Sequence, residues 1–396
     1  MLTPYHQSNY FTLFNADSLT LIDQLEDNSI DVVFADPPYF LSSGRKMDIA
    51  GRNVHFEKGA WDRSRSTEEI DQFNNKWIKA VRSKMKENGT IWISGTFHNI
   101  FSVERILVEN GFKIINLVSW QKSNPRDIVD GQHLTFSTEI LVWARKSLHG
   151  KHCYNHELMV QLNGGKPLTD VWKIPTPGSW ERTCGYHPTQ KPLRLLYRII
   201  LSSTNEGDLI LDPFAGSCTT GIAANLLGRN FIGIDQSKDF LDFGIRRKQE
   251  IESPEIREKI IKKMSENPEE VTVIINHCRK GLMEKMVETG ICYLRAGDSK
   301  GSLCITPGFE RLSYVLLHTN GENCKLFKLK SKGKFNIWTK ETLEEYGFEP
   351  SHAPYYIVLH FDNSKPIPFK QLPNLKESVN TYIAKIKPLS DFMGIK

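Results

Sequence analysis

Short apolar runs alternate with amphipathic stretches over the first 250 residues of this 396-residue chain. The apolar run 30–35 predicts a buried strand, and 70–87, with its apolar side chains on one face, predicts a helix. The same criteria predict further strands at 90–93, 114–120, 140–143, 208–211 and 230–234, and further helices at 100–109, 193–202, 221–227 and from about 238 onward. Strands that alternate with helices indicate a mainly parallel twisted sheet covered by helices, which is an α/β fold.

Two stretches interrupt this alternation and divide the chain. Gly, Pro and Trp accumulate at about 147–186, which predicts an insertion rather than a layer of the sheet. The charged stretch 251–270 predicts a solvated linker, so we expect one large domain at 1–250 and an accessory domain of unknown role at 271–396. A small α+β extension is predicted for 271–396 from a helix pattern near 282–287 and strand patterns at 271–275, 303–306, 314–318, 325–329 and 355–361.

The positive charge of the chain is concentrated in its last third. Residues 271–396 hold 18 Lys and Arg against 12 Asp and Glu, whereas the first 270 residues hold 33 against 34. A basic surplus of this size permits contact with DNA, but it is also common on solvated surfaces. The accessory domain is therefore a candidate for DNA contact or for dimerisation.

The seven cysteines are scattered, without a CxxC pair or a Cys/His ligand spacing. This pattern argues against a disulfide framework and against a zinc site, so no metal is expected. The first residues lack the basic start and apolar core of a signal peptide, and no apolar run reaches the roughly 18–20 residues that cross a bilayer. We expect a cytoplasmic protein without a membrane segment.

The tetrapeptide Asp36-Pro37-Pro38-Tyr39 directly follows the predicted strand 30–35. Open α/β sheets place their ligands at the carboxyl ends of strands, so these four residues are candidate catalytic residues. Two consecutive prolines hold a backbone carbonyl rigid. Together with the carboxylate, this carbonyl can accept hydrogen bonds from both N–H groups of a nucleobase amino group. The lone pair of the nitrogen is then free to attack a methyl donor. Tyr39 offers a ring on which a base swung out of a duplex can stack. The competing interpretation is an ordinary turn that ends a strand.

A second motif, 211–221 (LDPFAGSCTTG), lies between a predicted strand and a predicted helix, as expected of a glycine loop that binds a cofactor. It lacks the lysine of a P-loop and the full GxGxxG spacing, which argues against a nucleoside triphosphate or a dinucleotide. Asp235 ends the next predicted strand, where a carboxylate can accept hydrogen bonds from ribose hydroxyls. The candidate cofactor-binding residues of this region are Asp212, Phe214, Gly216, Ser217, Thr219, Gly221 and Asp235.

Three further segments are candidates for the same site. Asp17 lies at a predicted strand end and could accept a hydrogen bond from the amino group of a cofactor adenine. It is equally suited to cap the helix that follows. In the segment HPTQKP, His187, Thr189 and Lys191 could hold the amino-acid end of a cofactor, although Lys191 could also be an ordinary surface residue. The stretch 41–65, which contains glycines and basic residues, predicts a mobile lid.

Together these segments resemble the amino-methylating DNA methyltransferases of the β arrangement, in which the catalytic motif precedes the cofactor motif. The resemblance is closest to the DpnA type of adenine methylase from restriction–modification systems, and it covers nearly all of residues 8–250. The matching segments are FADPPYFLS, KGAWD, GTIWISGTFHNI, WQKSNP, STEILVWARK, HPTQKP, ILDPFAGSCTTG and FIGID.

The resemblance implies a permuted Rossmann-like fold that uses S-adenosylmethionine to methylate the N6 amino group of a flipped-out adenine at specific DNA sites. It implies that Asp36 and the Pro37 carbonyl hold this amino group, that Tyr39 stacks on the base, and that Asp36 also adjoins the cofactor. It further implies a target-recognition role for the insertion at about 147–186. Cys218 departs from the family pattern, since relatives usually have Gly there, and the type member resembles the chain only up to about residue 250.

Two other functions stay open at this point. Methylation of cytosine at N4 uses the same amine chemistry, although Asp rather than Ser at position 36 favours adenine. The other is a catalytically silent subunit that binds the cofactor or DNA, although both motifs are intact. The predicted partners are DNA, a restriction endonuclease linked by function rather than by binding, and a second copy of the chain in a homodimer.

Overall fold

The computed structural model describes residues 3–40, 46–49, 52–55, 66–125, 134–178, 181–253, 255, 271–297, 301–302, 304, 308–319, 322–369 and 384–393. The chain divides into two compact units, a first unit of Met1–Asn155 with Thr169–Ile245 and a second unit of His156–Leu168 with Arg246–Lys396. Most of the predicted lid, linker and strand 303–306 lies outside the described residues.

The elements up to residue 252 alternate between strands and helices, as predicted. They are β1 (His6–Ser8), β2 (Phe11–Asn15), α1 (Ser18–Ile22), β3 (Ile30–Ala35), β4 (Lys46–Ile49), β5 (Arg52–His55), α2 (Thr67–Lys84), β6 (Met85–Gly95), α3 (Ile100–Glu109), β7 (Lys113–Gln121), β8 (Thr138–Arg145), α4 (His156–Leu162), β9 (Val171–Lys173), α5 (Leu193–Ser203), β10 (Leu209–Asp212), α6 (Thr219–Leu226), β11 (Asn230–Asp235) and α7 (Lys238–Glu252).

The first unit is built on a nine-stranded sheet with the order β1-β2-β11-β10-β3-β6-β8-β7-β9. The pairs from β2 through β11, β10 and β3 to β6 are parallel, as is β7 with β9. The pairs β1–β2, β6–β8 and β7–β8 are antiparallel. The predicted mainly parallel α/β sheet is therefore confirmed, and its late strands β10 and β11 lie between the early strands β2 and β3.

Helices α2 and α3 bury their apolar faces in a core that includes β3 and β6. The side chain of Trp77 on α2 and that of Leu107 on α3 are fully buried there. α2 begins earlier than predicted because Ser66 and Glu69 form a capping box, in which each side chain accepts a hydrogen bond from the other residue's backbone N–H. It ends at Lys84 because Met85 adopts an extended conformation and starts β6.

The second unit contains two further sheets. Its elements after α4 and α7 are β12 (Thr272–His277), α8 (Lys280–Thr289), β13 (Ile291–Arg295), β14 (Leu312–Thr319), β15 (Glu322–Lys328), β16 (Asn336–Thr339), α9 (Lys340–Glu345), β17 (Tyr355–His360), β18 (Lys385–Pro388) and α10 (Ser390–Met393). The sheet orders are β15-β14-β12-β18 and β13-β17-β16, and β12–β14 is parallel whereas the other pairs are antiparallel. This is the predicted α+β arrangement.

Helix α4 comes from the predicted insertion at 147–186, yet it belongs to the second unit. The Gln161 side-chain amide donates a hydrogen bond of 2.9 Å to the backbone carbonyl of Tyr355. Part of the insertion is thus packed with the C-terminal third of the chain. In the part of the chain that is described, no helix is both long and apolar enough to span a membrane.

Cys218, the residue that departs from the family pattern, has a left-handed backbone conformation with φ 58° directly before α6. This conformation is costly for a residue with a side chain. The Cys218 side chain is fully buried, and a Cβ added at Gly244 on α7 would overlap its Sγ and lie 2.7 Å from its Cβ. Gly244 therefore makes room for Cys218.

We predict that Gly244→Ala lowers the free energy of unfolding by about 1–3 kcal/mol, because the added methyl group overpacks the contact with Cys218. Cys218→Gly should remove most of this cost, since it deletes the side chain that the new methyl group would meet. Urea unfolding of the wild type, both single variants and the double variant measures the coupling. An equal cost of Gly244→Ala in both backgrounds would contradict the assigned contact.

Candidate active site

A cavity of about 500 Å³ opens in the first unit where four parallel strands end. Most of its lining comes from residues 17–19 after β2, 36–40 after β3, 213, 214 and 216 after β10, and 235–237 at the end of β11. The carboxyl ends of parallel strands meet at one edge of a sheet, which is where open α/β sheets bind ligands. The parallel register thus gathers segments that are distant in sequence around one cavity.

Ten of the predicted site residues line this cavity: Asp17, Asp36, Pro37, Pro38, Tyr39, His187, Thr189, Phe214, Gly216 and Asp235. The other predicted site residues do not line it: Lys191, Asp212, Ser217, Thr219 and Gly221. Several lining residues were not predicted from the sequence, namely Ser18, Leu19, Phe40, Phe73, Pro213, Gln236, Ser237 and Phe240. Phe40 and Pro213 lie within the two quoted motifs, whereas only the fold identifies the other six.

The carboxylate of Asp36 is held from two sides. Its Oδ1 accepts a hydrogen bond of 2.7 Å from the Tyr39 hydroxyl, and its Oδ2 accepts one of 2.6 Å from Lys191 Nζ. The Tyr39 hydroxyl also lies 2.9 Å from Ser94 Oγ on β6. Burial raises the pKa of Tyr39 well above its usual value, and the nearby carboxylates of Asp36 and Glu139 raise it further. Tyr39 therefore stays a neutral donor that orients Asp36.

Lys191, predicted as a cofactor contact or a surface residue, is buried instead behind Asp36. Its Nζ lies 2.6 Å from Asp36 Oδ2 and 3.3 Å from Glu139 Oε2, and Lys122 Nζ lies 2.7 Å from the other Glu139 oxygen. Burial would lower the pKa of Lys191, but the two carboxylates outweigh it and leave this pKa raised. Burial likewise opposes the ionisation of Glu139, yet Lys191 and Lys122 outweigh it and lower its pKa. Lys191 and Glu139 are therefore both held in their charged forms.

Glu139 was not among the predicted site residues. It lies near the start of β8, within the segment STEILVWARK. Because β8 runs antiparallel to β6, its first residues lie at the edge where β3 and β6 end, beside Asp36. The one signal in the sequence was an acidic residue directly before the apolar run 140–144, and it did not indicate Lys191 as the partner.

Asp212 stabilises the glycine loop through two hydrogen bonds. Its carboxylate accepts hydrogen bonds of 3.0 Å from the Phe214 backbone N–H and 2.6 Å from the Thr220 hydroxyl. Burial raises the pKa of Asp212 to about 7. Asp212 thus holds the loop without lining the cavity.

Gly216 permits the close approach that the glycine loop requires. Its φ is +50°, and a Cβ there would lie 2.9 Å from His187 Nε2, so a side chain would collide with the imidazole. Its N–H donates a hydrogen bond of 2.8 Å to one oxygen of Asp235, and the Ser237 N–H donates one of 2.7 Å to the other. Asp235 therefore faces the cavity in a fixed orientation, and burial raises its pKa.

The last residues of the glycine motif are packed in the interior of the first unit and do not line the cavity. α6 begins at Thr219, earlier than the predicted start at 221. A Cβ at Gly221 would overlap the rings of Phe231 and Phe11, so this glycine lets α6 approach the sheet. The side chains of Ser217 and Thr219 are buried.

Asp17 caps a helix, as one interpretation of its sequence position predicted, and it also lies at the cavity. It caps α1, because its Oδ1 accepts a hydrogen bond of 3.2 Å from the Thr20 N–H. It also lines the cavity, where its Oδ2 accepts a hydrogen bond of 2.7 Å from the Gln236 side chain. The two hydrogen bonds fix the orientation of this carboxylate at the cavity wall.

The chain is similar to known DNA methylases over most of its first unit. A family model described as DNA methylase matches residues 30–246. The type II methyltransferase M2.MboI of Moraxella bovis is 47% identical over 269 residues, 67% of this chain and 98% of that relative. The type II methyltransferase M2.DpnII of Streptococcus pneumoniae is 47% identical over 248 residues, 62% of this chain and 92% of that relative. Among solved structures, the M1.HpyAVI–SAM complex is similar with 27% identity and a TM-score of 0.46, over 60% of this chain and 98% of that chain.

We predict that Asp212 makes the chain less stable as the pH rises. Its pKa is about 7 in the folded chain, against about 3.9 in an unfolded one. Between these values the folded chain holds a proton that the unfolded chain has lost, so the free energy of unfolding falls as pH increases. Asp212→Asn should remove about 2–4 kcal/mol of this loss.

Urea unfolding at pH 5 and pH 8 measures this effect as the difference between wild type and Asp212→Asn. The exposed Asp23, changed to Asn, controls for the loss of a negative charge elsewhere in the same unit. If the wild type and Asp212→Asn lose the same stability between the two pH values, the raised pKa is wrong.

Proposed function

We propose an adenine-specific activity for this chain, which belongs to the DNA methylase family. Membership of this family confirms the predicted enzyme class. This class is a site-specific DNA methyltransferase of the restriction–modification kind that uses S-adenosylmethionine. Within it, we infer that the chain methylates the N6 amino group of a flipped-out adenine. The observation that carries this proposal is the Asp36 carboxylate, which lines the cavity and is oriented by Tyr39 and Lys191.

The cavity suits S-adenosylmethionine chemically. Its described lining includes the carboxylates of Asp17, Asp36 and Asp235 but no Lys or Arg. Such a lining favours a ligand with a positive charge and hydrogen-bond donors over a ligand with phosphates. When bound, the cofactor supplies an electrophilic methyl group on a sulfonium. In the proposal, Asp235 accepts hydrogen bonds from the ribose hydroxyls, and Asp17 accepts one from the adenine amino group. His187 and Thr189 adjoin the amino-acid end of the cofactor.

The residues after β3 activate the target amine. Asp36 accepts a hydrogen bond from one N–H of the amino group and the Pro37 carbonyl accepts one from the other N–H, which localises the lone pair on nitrogen. Consecutive prolines restrict the backbone, so the carbonyl is positioned before the base arrives. Tyr39, whose hydroxyl is anchored and whose ring lines the cavity, stacks on the base. N4-cytosine methylation is the second candidate, since it uses the same acceptors, and Asp at position 36 favours adenine.

The insertion at about 147–186 selects the DNA sequence, and a restriction endonuclease of the same specificity is linked to the enzyme by function. Homodimer formation and a cytoplasmic location stay predictions.

We also propose that the basic accessory domain contributes to DNA binding. Five lysines lie within the ten residues 325–334, and the first two belong to β15, which is an edge strand of its sheet. Lys332 pairs with Glu250 at 2.7 Å, and the partly or fully exposed side chains of Lys325, Lys328 and Lys330 supply positive charge at the surface. Lysines clustered in this way suit contact with DNA phosphates.

The proposed reaction predicts that labelled methyl groups appear in N6-methyladenine after incubation with mixed DNA. Asp36→Asn should lower turnover by on the order of 10²–10³-fold, because the amide offers a weaker and differently arranged acceptor. Cofactor binding by this variant should stay measurable by calorimetry. Asp23→Asn serves as a control that keeps full turnover. Label in N4-methylcytosine would refute the adenine assignment, and retained turnover in Asp36→Asn would refute the role of this carboxylate.

For the accessory domain, we predict that changing Lys325, Lys328 and Lys330 to Gln weakens DNA binding. The slope of the logarithm of the binding constant against the logarithm of salt concentration should decrease by about one for each phosphate that the variant no longer neutralises. The matched control changes three lysines elsewhere in the second unit, at 285, 340 and 387. Both variants should keep the cofactor affinity of the wild type. Equal salt slopes in the two triple variants would exclude this surface.

A further inference from the structure

Four ionic side chains form a connected network behind the proposed amine-binding carboxylate. Asp36 contacts Lys191 at 2.6 Å, Lys191 contacts Glu139 at 3.3 Å, and Glu139 contacts Lys122 at 2.7 Å. Lys191 is the least exposed of these side chains at 6%, between Asp36 at 15% and Glu139 at 13%, and Lys122 is the most exposed at 21%. The network therefore runs from the cavity wall toward the surface, with Asp36 as its member that lines the cavity.

The network carries two negative and two positive charges. Lys191 shares its ammonium group between two carboxylates, so it does not neutralise Asp36 alone. A buried charge without a partner is costly, and each member here depends on its neighbour. If Glu139 were neutral, Lys191 would pair with Asp36 only, and the network would have a net positive charge beside the cavity.

We propose that Glu139 is a positioning residue that keeps this network neutral, and that it thereby lets the cavity accept the positively charged sulfonium of S-adenosylmethionine. This inference rests on the proposed function, because it assumes that the cavity holds this cofactor. Glu139 acts through Lys191: it shares the ammonium group with Asp36 and leaves Asp36 able to accept a hydrogen bond from the target amine. Lys122 balances Glu139 from the side of the surface.

The proposal predicts a specific change in ligand preference. S-adenosylhomocysteine has the same parts as the cofactor but lacks the methyl group and the positive charge. Glu139→Gln, which adds one net positive charge, should weaken S-adenosylmethionine binding relative to S-adenosylhomocysteine on the order of tenfold, the size expected for one charge in a partly screened site. Lys122→Gln should shift the ratio in the opposite direction, and the double variant should restore it.

Calorimetry on the full-length chain measures both dissociation constants for the wild type and the three variants. A wild type that does not bind S-adenosylmethionine would refute the proposed function. An unchanged ratio of the two constants in Glu139→Gln, with both ligands bound by the wild type, would overturn the role of Glu139 and leave the function standing. If Glu139→Gln binds neither ligand because its fold is lost, Lys122→Gln tests the proposal, since it changes the more exposed side chain. An unchanged ratio of the two dissociation constants in Lys122→Gln overturns the proposed role of the network charge.

Discussion

The parallel pairing of β10 with both β3 and β11 is the constraint on which the site depends. Leu211 lies opposite Val33 on one side and Ile232 on the other, and all four residues of β10 are buried or partly buried. Because strands paired in parallel end at one edge, this register brings the tetrapeptide after β3 next to the glycine loop after β10 and Asp235 at the end of β11. A displaced register would separate the two halves of the cavity.

The charged groups around Asp36 then determine how this edge of the sheet can bind a ligand. Asp36 lines the cavity, but its charge is stabilised by groups that come from distant segments, and Lys191 is 155 positions away in the chain. Hydrogen bonds from Tyr39 and Lys191 orient the carboxylate before any ligand binds. Acceptors that are oriented in advance need little reorganisation during a reaction. The same low exposure that strengthens these hydrogen bonds requires that every charge in the network has a partner.

The chain extends beyond the length of its relative M2.MboI. M2.MboI matches 67% of this chain and is itself covered over 98% of its length, so the rest of the chain has no counterpart in that relative. The structure assigns α4, from the predicted insertion, to the same unit as the C-terminal sheets. Part of the insertion and the accessory segments therefore belong to one compact unit, a relation that the spacing along the chain did not indicate.

Local sequence patterns determined the strand β3, the helix α3, the position of the tetrapeptide and the strand–loop–helix context of the glycine motif. These features depend on neighbours within a few positions, where apolar periodicity and backbone preferences act directly. The pairing of Lys191 with Asp36 and Glu139, the packing role of Gly221 and the left-handed Cys218 beside Gly244 were decided only by the tertiary structure. Each of them depends on a partner that is distant in the chain, and a partner of this kind is chosen by strand order and register. The sequence thus indicated candidate residues for the chemistry, and the fold decided which charges surround them.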